Sequence, residues 1–180
     1  MKHIMTDFKR LIRHLWLDVS DTQRIISRDM LQRLAARVAA SEQRHSGQIR
    51  VCVEAALPLS YLLQIDRENP VSAVTRQRAV MMFGKLRVWD TEHNNGVLIY
   101  LLLAEHSIEI VADRGLTRHV DASQWQAMVA RMASAFREKR YEDGLTQALE
   151  ETSAVLMAHF ARTGAAAASS NELPDTPQLQ

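Results

Sequence analysis

The chain has 180 residues, 47% hydrophobic and 24% charged, with 22 Lys and Arg against 21 Asp and Glu. At this length roughly 70% of the unfolded surface can be buried, so one domain folds without disulfides or a structural metal, and the lone cysteine forms no internal disulfide. A net charge of +1 excludes the basic excess of a sequence-independent nucleic-acid binder, and equally an acidic, solvating chain.

Residues 1–26 read as a basic amphipathic extension. Phe8, Leu11, Ile12, Leu15 and Trp16 recur at helical spacing on one face, with Lys9, Arg10 and Arg13 on the others. Such a helix, over 7–17, either docks on this domain or a protein partner, or lies in a membrane interface with its cations near anionic lipid. The start has no unbroken apolar run of signal-peptide length, and the longest apolar run, 96–104, is half of what a spanning helix needs. The expected location is the cytoplasm, peripheral at the inner membrane if the helix meets lipid.

The body is expected over 27–161. Ser27 caps a helix over 28–44 in which Met30, Leu31, Leu34, Ala35 and Val38 face the core. Ile49, Val51, Val53 and Ala55 then alternate with polar residues and with Cys52, which packs rather than reacts, so this is the first strand. Pro58 ends it, and Asn69-Pro70 predicts an N-cap with proline at the first helical position of a helix over 70–86. The run 96–104 is apolar on both alternating faces, which a strand can be only with both faces covered. After the break Glu105-His106-Ser107, alternation at Ile108, Ile110 and Ala112 predicts an antiparallel hairpin. Asp121 and Gln124 predict a capping box for a helix over 121–139 carrying Trp125, Met128, Val129, Met132 and Phe136. The turn Glu142-Asp143-Gly144 precedes a last helix over 144–160, and 162–180 reads as a disordered tail by composition. A right-handed crossover makes the first two strands parallel. The expected fold is a three-layer α/β/α sandwich with a small mixed sheet.

In this topology the loops 90–95 and 113–115 converge at one sheet edge, near Gln48 and the turn His45-Ser46-Gly47. Asp90, Glu92, Asn94, Asn95 and Asp113 are hard oxygen donors, suited to Ca²⁺ or Mg²⁺. The metal ligands expected are Asp90, Asn94, Asn95 and Asp113. A cation there could polarise a phosphoryl oxygen, with Arg114 neutralising developing charge. A tight turn explains Asn94-Asn95-Gly96 equally well without a ligand. His93, His106 and His119 lack zinc-ligand spacing, and neither a nucleophile elbow nor a phosphate loop is present.

The stretches Phe83-Gly84, Trp89-Asp90-Thr91-Glu92, Asn95-Gly96-Val97-Leu98-Ile99-Tyr100-Leu101, Ile108-Glu109-Ile110-Val111 and Arg114-Gly115-Leu116, with Tyr141-Glu142-Asp143-Gly144-Leu145, resemble the TPM domain family over roughly 28–160. The resemblance implies a small α/β sandwich. It also implies one of several activities, since members are described as acid phosphatases, as calcium binders, or as membrane-anchored modules. This chain departs from the pattern in having Gln48 where an acidic residue is usual, and Asp113-Arg114-Gly115-Leu116 where G-x-G-L is usual. It is most similar to a soluble bacterial branch encoded beside LemA-like membrane proteins. Two readings stay open. One is a ligand- or partner-binding module near the inner membrane face, without catalysis, with a LemA-like protein or the membrane surface met through 7–17. The other is a divalent-metal-assisted acid phosphatase using Asp90, Asp113 and Arg114.

Overall fold

The computed structural model describes residues 2–17, 19–162 and 171–180, with the side chains of all but 2–8 and 19. Strand β1 (Gln48–Glu54) pairs in parallel with β2 (Gly96–Leu102), from Gln48 opposite Gly96 to Glu54 opposite Leu102, as the crossover requires. Strand β3 (Ser107–Ala112) returns antiparallel to β2, with Leu98 opposite Val111. A short β4 (Gln178–Leu179) completes a mixed sheet in the order β3-β2-β1-β4.

Both faces of β1 and β2 are buried, which their side chains allow because helices cover each side. On one side α3 (Arg28–Glu42), α7 (Ala122–Arg137) and α8 (Tyr141–Phe160) bring Leu34, Met132, Phe136 and Leu156 onto Ile49, Val51, Ile99 and Leu101. On the other, α4 (Leu59–Leu62) and α5 (Val71–Lys85) set Val74 and Met82 against Cys52, Leu98 and Tyr100. Helices α1 (Lys2–Trp16) and α2 (Val19–Ile25) precede this body, and α6 (Arg114–Thr117) follows β3. The sandwich is the three-layer α/β/α arrangement expected, and Ser27 caps α3 by accepting from the Met30 amide at 3.2 Å.

Several local expectations are corrected. Pro70, not Asn69, is the N-cap of α5, because Asn69 is held in the preceding turn by Asp66 Oδ1 and the Gln64 carbonyl. Asp121 is the N-cap of α7, but its side chain makes no capping hydrogen bond, so the box with Gln124 is not formed. Glu142-Asp143-Gly144 lies inside the first turn of α8, where both carboxylates complement the helix dipole. Gly144 serves helix packing, since a Cβ there would meet the Phe136 ring at 2.6 Å. The reversal is made instead by Lys139, in left-handed backbone with φ 60°.

The largest correction concerns the tail. Residues 163–170 lie outside the described set, but 171–180 run along the open edge of β1. Arg50 donates to the carbonyls of Pro174 and Thr176, and Gln48 Oε1 accepts from the Glu172 and Leu173 amides at 2.9 and 3.1 Å. Gln180 N donates to Val53 O at 2.9 Å, and Leu173 is buried. A composition without apolar period can still order when its partners are backbone groups on a sheet edge.

Candidate functional site

The edge at the start of β1 and β2 and the end of β3 gathers the polar loops as expected. Asp113 N donates to Gly96 O at 2.9 Å, and Gly115 N to Asn94 O at 2.8 Å, tying the two loops together. Both glycines are required by close approach: a Cβ would lie 1.9 Å from Val88 O at Gly96 and 2.4 Å from Asn94 O at Gly115. Asn94 itself takes φ 52°, the left-handed turn position that Asn tolerates.

The four residues expected as metal ligands divide into two pairs. Asp90 is exposed and engaged by Arg87 at 2.6 Å, and Asn94 Oδ1 accepts from Arg114 Nε at 2.9 Å. Asn95 is fully buried, its Nδ2 donating to Ser46 Oγ, and its Oδ1 has no hydrogen-bond partner among the described residues. Asp113 accepts from the Arg114 amide through Oδ1, while Oδ2 is likewise buried and unpartnered. Both are hard oxygen donors, the type that Ca²⁺ or Mg²⁺ takes. Among the described residues no group of three or more His, Cys, Asp or Glu side chains converges on one point, so backbone carbonyls and water would have to complete the shell. Glu92 contributes its amide rather than its carboxylate, donating to Glu172 Oε2.

Glu42 was not anticipated at this edge, and His45 was placed near it only as part of a turn. Glu42 is buried in the last turn of α3, and its Oε1 accepts from the Ile49 amide at 2.7 Å. Burial raises its carboxyl to about 7, against the pull of that hydrogen bond, with Asp175 and Glu172 of the tail adding to the rise. Its signal lies in the periodicity: extending the stripe Leu34, Val38 by four places lands on Glu42, a carboxylate where an apolar residue belongs. His45 is fully buried, with Nδ1 donating to Gly47 O at 3.0 Å and Nε2 therefore accepting from Ser41 Oγ at 2.8 Å. Burial lowers it to about 4, so the ring is neutral.

At the opposite end of the sheet, α1 is fastened by its polar face. Leu57 N donates to His14 Nδ1 at 3.0 Å, so the ring proton sits on Nε2 and is donated to Glu105 Oε1 at 2.9 Å. Arg13 donates to Ala104 O at 2.7 Å, and Arg10 to Glu105 at 3.2 Å. Burial opposes the Glu105 charge, but His14 and Arg10 outweigh it and hold the carboxyl below its usual range. The amphipathic helix docks, then, yet of the stripe read from the sequence only Leu11 is half-buried and three residues are exposed. Ile12, Leu15 and Trp16 are 40%, 65% and 82% exposed, and the Phe8 side chain lies outside the described set. Among the described residues no helix is long and apolar enough to cross a membrane.

A family model described as the TPM domain matches residues 19–155, more than half of the chain. Among curated proteins nothing matches. Of solved structures, the BA42 protein from the psychrophilic bacterium Bizionia argentinensis superposes with a TM-score of 0.68 at 23% identity, covering 86% of this chain and 94% of that one. The N-terminal domain of a P. gingivalis protein superposes with a TM-score of 0.53 at 17% identity, covering 78% and 83%. At these identities the two structures support the fold alone.

Proposed function

The chain belongs to the TPM domain family, and from that premise and its own surface we propose that it is a binding module held at the inner membrane face by α1, without catalysis of its own. One observation carries this reading: α1 is fixed to the sheet through Arg10, Arg13 and His14, leaving Ile12, Leu15 and Trp16 turned to solvent. A helix that docked only for stability would bury its apolar stripe. Full burial of Leu15 and Trp16 in an interface is worth about 1.5–3 kcal/mol each. Doubly substituted Leu15→Ser/Trp16→Ser protein should therefore bind mixed phosphatidylcholine and phosphatidylglycerol vesicles at least tenfold more weakly in co-sedimentation. Equal binding by the wild type and this variant sinks the reading and returns the exposed stripe to a protein partner of the LemA-like kind.

A second reading is favoured by the unpartnered oxygens Asn95 Oδ1 and Asp113 Oδ2: the opposite sheet edge takes a divalent cation, which is also the precondition of the phosphomonoester chemistry that the family resemblance raises. Calcium or magnesium at 100 times its dissociation constant should stabilise the wild type by about 2.7 kcal/mol in thermal unfolding. Asp113→Asn keeps the cap on α6 and should lose most of that stabilisation. No shift in the wild type removes both the cation and the hydrolytic reading that depends on it.

A further inference from the structure

Beside the docked α1 the molecule holds a crevice of about 580 Å³, lined by Arg13, Trp16, Ile25, His106, Lys139 and Tyr141. Helices α1, α2 and α8 and two turns converge on it. His106 in the β2–β3 turn and Lys139 in the α7–α8 turn both adopt left-handed backbone, φ 49° and 60°, an uncommon state for residues other than glycine. His106 Nδ1 is tied to the Tyr141 hydroxyl at 2.8 Å. Burial, and then the charges of Lys139 and Arg13, hold the His106 imidazole below its usual range, so both cations are felt at the same spot.

The acids nearby are already engaged. Asp21, which itself lines the crevice, pairs with Arg24 at 3.0 Å, and Glu105 with Arg10 and His14 at 3.2 and 2.9 Å. Lys139 has no ion-pair partner among the described residues, and Arg13 uses one of its five donors on Ala104 O. Arg13 and Lys139 give the crevice an excess of cations over Asp21, and Trp16 and Ile25 on its lining are 82% and 37% exposed, with Leu15, the chain neighbour of Trp16 in α1, at 65%.

We propose that this crevice seats the phosphate of an anionic phospholipid, held by Arg13 and Lys139 while Leu15 and Trp16 enter the acyl boundary. The inference rests on the membrane-facing reading of α1 and adds a headgroup requirement to it. A soluble phosphate ester would satisfy the cations but leave the tryptophan and leucine in water, whereas a phospholipid meets both halves of the surface.

The test is co-sedimentation of the full chain with vesicles of phosphatidylcholine alone and with phosphatidylglycerol at about one third of the lipid, where each cation near the surface contributes about fivefold in binding. The wild type should prefer the anionic vesicles at least tenfold. Lys139→Gln should bind them about fivefold more weakly, with no change on phosphatidylcholine, while Arg118→Gln, an exposed cation beyond the other end of β3, should stay close to wild type. Equal losses in the two variants mean diffuse attraction and overturn the crevice. Binding without preference for phosphatidylglycerol also overturns it, and leaves insertion of α1 standing. No binding to either vesicle removes both. Release of the wild type by glycerol 3-phosphate reassigns the crevice to a soluble phosphate ester and overturns the lipid.

Discussion

Arg78→Met destabilises the protein by about 3–5 kcal/mol in urea unfolding, a large effect for a residue with no place in either candidate surface. Arg78 lies between α5 and the sheet, 8% exposed, and donates through Nε and Nη2 to Glu54, itself 4% exposed. The fully buried Tyr100 hydroxyl donates at 2.5 Å to Glu54 Oε2, which also accepts from Arg78 Nε, and the Tyr61 ring lies 5.2 Å from the guanidinium. Burial works against the charge on Arg78, but the Glu54 hydrogen bond and charge outweigh it and raise its pKa. Removing the cation alone strands a carboxylate in the core. Arg78→Met combined with Glu54→Leu and Tyr100→Phe removes both charges and the hydroxyl that depends on Glu54, and should recover most of the loss because a hydrophobic replacement of a buried polar network is often neutral. A single variant within about 1 kcal/mol of wild type would show that the carboxylate finds another partner.

Glu42→Gln changes the pH dependence of stability on a similar scale. The folded state holds the Glu42 proton up to about 7 against an ordinary 4.5, so it binds more protons than the unfolded chain between those values, and stability falls as pH rises through that window. His45 acts in the opposite sense. Its folded value of about 4, below the ordinary 6.5, means that stability is lost as pH falls through 6.5 toward 4. The two windows overlap almost completely, so in the wild type the slopes nearly cancel. Glu42→Gln keeps an acceptor for Ile49 N and removes the falling limb. Between about pH 4 and pH 8 its stability should rise by on the order of 3 kcal/mol relative to the wild-type curve. Parallel curves for the two proteins would mean that Glu42 does not titrate on its own in the fold.

The three longer strands were readable because each carries its own evidence, such as the alternation in Ile49, Val51 and Val53 and the doubly apolar run in β2 that demands cover on both sides. The converging loops followed from topology, and the backbone bond from Asp113 N to Gly96 O holds the two loops at one edge. Asp90 and Asn94 went elsewhere since Arg87 and Arg114 stand close enough to claim them, a competition that residue type alone does not reveal. The Glu54–Arg78–Tyr100 network joins residues 24 and 46 positions apart and leaves no local pattern. The tail was illegible for a related reason. Its order comes from Gln48 and Arg50 reaching its backbone, so the information sits in β1 and not in residues 171–180.

The two candidate surfaces occupy opposite ends of the strands, with α1 beyond Glu54 and Leu102, and the Asn95–Asp113 edge at Gln48 and Gly96. Seven residues of strand span about 23 Å. The potential of a charged surface decays over about 8 Å at physiological salt, so with the strands upright on a surface met by α1 the edge would stand nearly three screening lengths from it. A charged bilayer concentrates divalent cations in the layer beside it, and that layer ends before the edge begins. The oxygens of Asn95 and Asp113 would sample the cation concentration of the surrounding solution, and their occupancy would report on it whether or not the protein is attached.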